Sequence, residues 1–486
     1  MGRTTYNYAL LAGQFGHRSN WLLAHIVEVR TLIIRGKKIS VIGLGETGIA
    51  TAKVLALENE VTIYDKKNIP IPPELKELPL KFCLGDPSYT GAEEADLIII
   101  SPGVPSTEPF VRRALARNIP ILSEIEIAYQ LCPAPIIAVS GTDGKSTTTS
   151  LITHILKKGG KSAIAAGNIG IPFIKVVPNL TPKDIVVLEV SSFQLEWIDK
   201  FRPHIGVLLN IAADHLDRYP SLLEYGKTKM RLFENQDEND FAILNRDDRY
   251  IMELSRDIRS HKLYFSLFPD EGEGAFLRND EIHIKIGSEK FSFPIPPTKL
   301  EGLHNLQNIL ASSLVGFLLG LSPTVISEAL ATFQPLEHRI ERVREINGVL
   351  FINDSKATNP HSASRALEAF PAPIILIVGG RMKEGADYEG LFREHREKLK
   401  AVVLMGESTP ILAEIARKAG IQRIYEEKSL KDAVERAYSL STPGDTVLFS
   451  PACSSFDMFK NFEERGKLFK EIVLSLRKGE EDEQVF

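Results

Sequence analysis

Short runs of Val, Ile and Leu, each ending in a glycine-rich or polar turn before a helix-like stretch, recur along this 486-residue chain. They stand at KISVIGLG (38–45), VTIYD (61–65), ADLIIISPG (95–103), PIIAVSG (135–141), DIVVLEVSS (184–192) and GVLLN (206–210). They return at PIILIVGG (373–380), AVVLMG (401–406) and DTVLFSP (445–451). A run that is apolar on consecutive positions must be covered on both faces. The pattern therefore predicts parallel sheets layered with helices, an α/β fold, with ligands gathered beyond the carboxyl ends of the strands.

The chain is too long for one ordinary core. The segment Leu131-Cys132-Pro133-Ala134-Pro135 separates a first unit from a second, and Gln334-Pro335-Leu336 precedes a fresh strand pattern that opens a third. The expected units are 37–133, 134–336 and 337–486, preceded by an extension, residues 1–36. Alternating short strands near 264–298 predict a small antiparallel elaboration of the middle unit. The charged tail RKGEEDEQVF (477–486) is expected to fray.

Composition removes several classes of function. A formal charge of -5 gives no general attraction for polyanions, so phosphate must be bound by local sites and nucleic acid is not an expected partner. Cys83, Cys132 and Cys453 are far apart and odd in number, which fits a reducing cytoplasm and no metal spacing. The most apolar run, Ile309 to Leu321, is shorter than the ~20 residues of a spanning helix and predicts a buried one.

The strongest motif is Ser140-Gly141-Thr142-Asp143-Gly144-Lys145-Ser146-Thr147, after the strand PIIAVS and before an apolar-periodic helix. Glycines let backbone N–H groups turn toward phosphate oxygens, and the helix N-terminus adds a favourable dipole. Lys145 would supply charge to the β- and γ-phosphates, and Ser146 a hydroxyl to Mg²⁺. Gly43-Leu44-Gly45-Glu46-Thr47-Gly48 also follows a strand, with Asp65 at the end of the next. That pattern fits a nucleotide-shaped ligand, and equally a tight strand-to-helix turn.

Glu189 ends an otherwise apolar strand, where a carboxylate is costly unless paired or bound to a cation. His215 lies just past another strand, so Ser146, Glu189 and His215 can converge on one sheet edge. Lys229, in the polar helical stretch Glu224 to Arg231, reads as a surface lysine. The third unit carries three polar clusters at strand ends: Asn353 to Pro360, Gly379 to Lys383, and Ser450 to Asp457.

Together these residues resemble the Mur ligase superfamily, most closely its D-glutamate-adding branch, from about Lys38 to Leu476. The marks are SPG (101–103), SGTDGKST (140–147), GNIG (167–170), EVSSFQLE (189–196), DHLDRY (214–219), HNLQN (304–308), EHRIE (337–341), NDSKATN (353–359) and SPACSSFDMFKNFEERG (450–466). The resemblance implies three domains: a Rossmann-like one for a UDP-sugar, a central ATPase, and a Rossmann-like, mobile C-terminal one. It implies an ADP-forming ligase that joins D-glutamate to UDP-N-acetylmuramoyl-L-alanine through an acyl phosphate, in peptidoglycan precursor synthesis. The enzyme would be a cytoplasmic monomer using ATP and two Mg²⁺ ions.

Residue by residue, the resemblance implies that Gly141, Thr142, Asp143, Gly144, Lys145, Ser146 and Thr147 hold the triphosphate. Asn308, Arg339 and Asp354 resemble further nucleotide contacts. Ser146, Glu189 and His215 match metal ligands. Lys229 matches a lysine that is carbamylated in the family, and Lys145, Glu189, His215 and Lys229 form the catalytic set. The sugar nucleotide would lie at Gly45, Glu46, Thr47, Asp65, Lys66, Ser101, Pro102, Gly103 and Asn168. D-glutamate would lie at Lys356, Thr358, Lys383, Ser455, Phe456 and Phe462. Asp143 departs from the Asn usual among close relatives, and Asp65-Lys66-Lys67 from the commoner Asp-Thr-Arg.

Three rivals follow from the same residues. One is a ligase of the same class with another acceptor, although the Asp-Asn-Pro-Arg signature of the diamino-acid type is missing. An oxidoreductase built on Gly43 to Gly48 would leave SGTDGKST unexplained. A non-catalytic nucleotide scaffold would have no use for Glu189, His215 and Lys229 together.

Overall fold

The computed structural model describes residues 34–476 and 483–485, apart from 169, 217, 301, 335–336 and 384–385. Residues 1–33 of the extension, Ile169 of GNIG and Asp217 of DHLDRY thus lie outside the described residues. Three sheets form among those described.

The first sheet takes β1 (Lys38–Ile42), β2 (Glu60–Asp65), β3 (Leu80–Leu84), β4 (Leu97–Ile100) and β5 (Ile121–Ser123) in the order β3-β2-β1-β4-β5. All its pairings are parallel. The chain reverses direction at β2 and β4 around β1, so a crevice opens at the carboxyl end of β1. Gly48 is needed there because a Cβ would sit 1.9 Å from the Gly43 carbonyl oxygen. Close packing of the helix Glu46–Leu55 on the turn thus explains that glycine without any ligand.

The second sheet takes β6 (Ile136–Ser140), β7 (Ser162–Gly167), β8 (Asp184–Glu189), β9 (Ile205–Leu208), β10 (Phe241–Asn245), β11 (His261–Ser266), β12 (Gly274–Arg278), β13 (Glu281–Ile286) and β14 (Glu289–Pro294). Its order is β14-β13-β12-β11-β10-β9-β6-β8-β7. β6 is buried at every position, as its unbroken apolar run requires, whereas EIHIKI in β13 alternates buried and half-buried. The antiparallel elaboration falls where expected, over β12, β13 and β14. β11 pairs in parallel with both neighbours, and antiparallel pairing begins only between β12 and β13. The apolar run at 309–321 supplies the buried helix Leu303–Leu318, packed with Leu151, Ile155 and Leu156 of the helix Lys145–Lys158.

The third sheet takes β15 (Glu341–Ile346), β16 (Val349–Asn353), β17 (Ile374–Gly379), β18 (Leu399–Met405), β19 (Ile424–Glu426), β20 (Thr446–Phe449) and β21 (Glu483–Val485), ordered β19-β18-β17-β20-β16-β15-β21. The tail departs from the expected fraying at residues 483–485, which pair antiparallel with 344–346. Backbone hydrogen bonding along an open sheet edge outweighs the local charge of that segment.

The first two sheets share a continuous core, and a buried carboxylate also joins them. Glu126 Oε2 accepts the backbone N–H groups of Asp199, Lys200 and Phe201 at 2.9, 3.0 and 2.8 Å. Neighbouring Glu124 accepts the N–H of Ile174, and burial pushes its carboxyl up to about 7.

Candidate active site

Register decides what meets what. β6 lies between β8 and β9, with Val139 opposite Glu189 and Ser140 opposite Leu208. The loop after β6, the carboxylate ending β8 and the segment after β9 therefore emerge side by side at one sheet edge. In the third sheet β20 lies between β16 and β17, so the three polar clusters read from sequence also share an edge. Those two edges face each other.

Gly141 and Gly144 carry the expected phosphate loop through positive φ, +152° and +82°, before the helix starts at Lys145. The loop is braced from the segment after β9. Asn210 Oδ1 accepts the Asp143 N–H at 2.8 Å, and Thr142 Oγ1 accepts the Ala212 N–H at 2.9 Å. Lys145 Nζ donates to the Gly141 and Thr142 carbonyls at 2.9 and 2.6 Å, so its charge sits within the loop. Ser146 and Thr147 are buried behind it.

Glu189 is 2 % exposed. Its Oε1 accepts from Asn168 Nδ2 at 2.8 Å, while its Oε2 is buried without a hydrogen-bond partner among the described residues. An orphaned carboxylate oxygen beside the Ser146 hydroxyl end of the loop fits a hard cation, which prefers oxygen donors shared with substrate phosphates. No group of three or more His, Cys, Asp or Glu side chains forms a protein-only metal cage among the described residues. His215 sits at φ +56°, its ring edge-on to Phe193 and its Nε2 3.5 Å from Asp214 Oδ2.

Lys229 overturns the surface reading drawn from its polar surroundings. It is 1 % exposed and donates to the Gly141 carbonyl at 2.7 Å, over the ring of Tyr225. Burial, then the charge of Lys145, drives its amine well below the usual lysine range. Its helix, Leu222–Met230, is amphipathic with the inner face turned to the loop, so polarity along the sequence was a poor guide.

The third unit meets the second through named pairs. Lys356 Nζ donates to Ser146 Oγ at 2.8 Å and lies 5.6 Å from the Phe462 ring centroid. Burial brings the Lys356 amine down to about 8. Lys383 Nζ reaches Asp214 Oδ1 at 3.3 Å, and Asn359 Nδ2 reaches Asp214 Oδ2 at 3.1 Å. His361 and Ser362 both bond the Asp143 carboxylate, Ser362 Oγ at 2.6 Å. Asp354 is buried and accepts from Ser450 Oγ at 2.7 Å, and burial raises its carboxyl to about 7. Asp143, Asn308, His304, Arg339, Asp354 and Arg365 line a cleft between the two units. Asn308 there accepts from Thr148 Oγ1 at 3.1 Å.

Thr358 is half-buried in the loop after β16, and Ser455 is buried beneath the loop after β20. Phe456 is 66 % exposed and is not brought to the site in this arrangement. In the first unit Leu44 N–H bonds Asp65 Oδ2 at 2.8 Å, and Ser101 N–H bonds the Ile42 carbonyl at 3.0 Å. Those bonds gather Gly45, Glu46, Thr47, Asp65, Lys66 and the Ser101-Pro102-Gly103 turn around one crevice. Glu46 and Lys66 are engaged with Lys175 and Glu108 at its rim.

Sequence reading assigned no role to Asp214, Arg218, His361, Ser362 or Arg465. Arg218 binds Glu196 and the carbonyls of Pro102 and Val104, joining the first unit to the second. Arg465 is fully buried, bonding Ser355 and the Cys453 carbonyl, and so fixes two site loops at once. Each lies inside or beside a quoted motif, but only long-range contact shows what it touches.

Comparison with known proteins follows the same division. The description "Mur ligase MurD-like, N-terminal domain" matches residues 37–123, "Mur ligase middle domain" 139–316, and "Mur ligase, glutamate ligase domain" 338–453. A UDP-N-acetylmuramoylalanine--D-glutamate ligase of Pelotomaculum thermopropionicum is 42% identical over 91% of this chain and 98% of its own. One of Thermoanaerobacter pseudethanolicus is 41% identical over 92% and 100%. Among solved structures, the UDP-N-acetylmuramate-alanine ligase MurC of Thermotoga maritima superposes with a TM-score of 0.56 at 21% identity, covering 90% of this chain and 99% of that one. MurF ligase of Thermotoga maritima, in complex with ADP, gives 0.56 at 18% identity, covering 92% and 99%. At those identities the structural likeness speaks to the fold alone.

Proposed function

This chain belongs to the Mur ligase family, and from that premise we propose that it is the ATP-dependent ligase joining D-glutamate to UDP-N-acetylmuramoyl-L-alanine in peptidoglycan precursor synthesis. The observation that carries the reading is Lys356 of the third unit reaching Ser146 of the phosphate loop at 2.8 Å. It joins the expected amino-acid side to the expected triphosphate side in one site. The curated relatives carry the same activity in their names over nearly their whole length.

A carboxylate is a poor acyl donor, so the ligase first turns it into an acyl phosphate, with ADP leaving. The γ-phosphate and the carboxylate are both anions and must come within bonding distance. Lys145, held within the loop, offsets that repulsion and the charge on the transferring group. Ser146, Glu189, His215 and a modified Lys229 would hold Mg²⁺, which when bound neutralises phosphate charge. Lys229 suits the modification because a buried amine driven below its usual range is neutral and nucleophilic. It would take up CO₂, release a proton, and leave a carbamate. Lys356, Thr358, Lys383, Ser455 and Phe462 would receive D-glutamate, whose amine attacks the acyl carbon and expels phosphate. Docking of the third unit excludes water that would hydrolyse the acyl phosphate.

No helix among the described residues is long and apolar enough to cross a membrane. We place the enzyme in the cytoplasm, acting as a monomer. The deciding assay is phosphate release from ATP with UDP-N-acetylmuramoyl-L-alanine, offering candidate amino acids one at a time. Release that depends on D-glutamate is expected. Release with another amino acid, or none, would overturn the assignment.

A further inference from the structure

A carboxylate stands in the middle of the loop expected to bind a triphosphate. Asp143 is half-buried, its backbone N–H and carbonyl are both held by Asn210, and its side chain points to the third unit. A negative charge there opposes the ligand the loop is built for. Both carboxylate oxygens are nevertheless taken up: Oδ2 by His361 Nδ1, and Oδ1 by Ser362 Oγ at 2.6 Å. Both partners lie in the first turn of the helix Pro360–Ala369, on the far side of the interface between units.

We propose that Asp143 and His361 form a charge-compensated latch, in which docking of the third unit neutralises the carboxylate of the phosphate loop and so raises its affinity for ATP. The inference rests on the nucleotide site proposed above and adds to it a coupling between closure and affinity. Thermodynamic reciprocity then requires ATP to favour the docked arrangement.

Groups around the pair support this assignment. His361 is faced by Asp143 and by Arg365 and Glu368 of its own helix, with His304 across the cleft. Asp143 is faced by Arg339, Asp354 and Lys229 as well. Burial would lower the His361 imidazole, but Asp143 outweighs it and holds the ring above its usual range. His304 is driven by burial down to about 3 and stays neutral in the working range. Asp354, raised to about 7, titrates in that range and must be separated from His361.

The test is equilibrium binding of ATP with magnesium, between pH 6 and 9, to the full-length wild type and four variants. These are His361→Gln, His361→Lys, Asp143→Asn and the double Asp143→Asn/His361→Gln, each first shown folded by its thermal transition. In the wild type, affinity should fall as pH rises above the ordinary imidazole range and His361 loses its proton. His361→Gln should bind about tenfold more weakly at pH 7. His361→Lys, charged throughout, should bind like wild type at pH 7, and any remaining pH dependence would report Asp354 and Lys356, which also titrate in that window. The double variant should recover most of the loss. His361→Gln binding within about twofold of wild type, or a double variant no better than His361→Gln, would overturn the latch. Binding is read without turnover, so failure of D-glutamate-dependent phosphate release would count against the ligase assignment alone.

Discussion

Lys145 and Lys229 donate to the same acceptor, the carbonyl oxygen of Gly141, at 2.9 and 2.7 Å. Two ammonium groups cannot share one dipole at that distance without strong repulsion. Burial, and then the charge of Lys145, drives the Lys229 amine well below the usual lysine range. One carbonyl thus holds the Lys229 amine, where the proposed carbamate would form, beside that of Lys145.

Activity should therefore depend on dissolved CO₂. Enzyme exhaustively depleted of bicarbonate should lose most of its turnover and regain it on adding bicarbonate, with ¹³C-labelled bicarbonate giving a carbamate carbon signal. Lys229→Ala should be at least about 10²-fold slower in phosphate release and give no such signal. A fully active Lys229→Ala enzyme would remove the carbamate from the mechanism.

Lys145→Ala should lower turnover by about 10³-fold with little change in the thermal transition, because the lysine's hydrogen bonds go only to its own loop. The comparison needs both kcat and an unfolding curve. An active Lys145→Ala enzyme would contradict the assigned phosphate site.

Arg218 clamps the turn at residues 102–104 to Glu196. Arg218→Ala should raise KM for the UDP-sugar substrate about tenfold while leaving KM for ATP nearly unchanged. It should also cost about 1–3 kcal/mol of stability, since Glu196 loses its charged partner. Equal effects on both KM values would show that the clamp does not serve the first crevice.

Glu124 supplies a pH test. Its folded carboxyl is raised to about 7 by burial, so between its unfolded value and 7 the native state holds a proton that the unfolded chain has lost. Stability conferred by that proton is present at low pH and falls as pH rises toward 7. Glu124→Gln should therefore stabilise the protein at pH 8, by about 3 kcal/mol at most, with the effect shrinking to nearly nothing at about pH 4, below the unfolded carboxyl value. The readout is the difference in thermal midpoint at the two values.

Much of the fold was legible because unbroken Val/Ile/Leu runs have few other uses in a chain of this composition. The tail at 483–485 was misread because edge pairing is a long-range event that local charge does not report.

Within the site, chain chemistry by itself determined the strand–glycine loop–helix turn proposed to bind phosphate, since strand, glycines, lysine and hydroxyl are contiguous from Ser140 to Thr147. Glu189 was legible too, because a carboxylate ending an apolar strand is conspicuous. Only the tertiary structure decided that Lys229 is buried, that His361 answers Asp143, and that Arg465 underpins two loops. The physical reason is burial. Whether a lysine is charged or neutral, and whether an aspartate repels or is compensated, depends on neighbours that sheet register and domain docking bring from far along the chain.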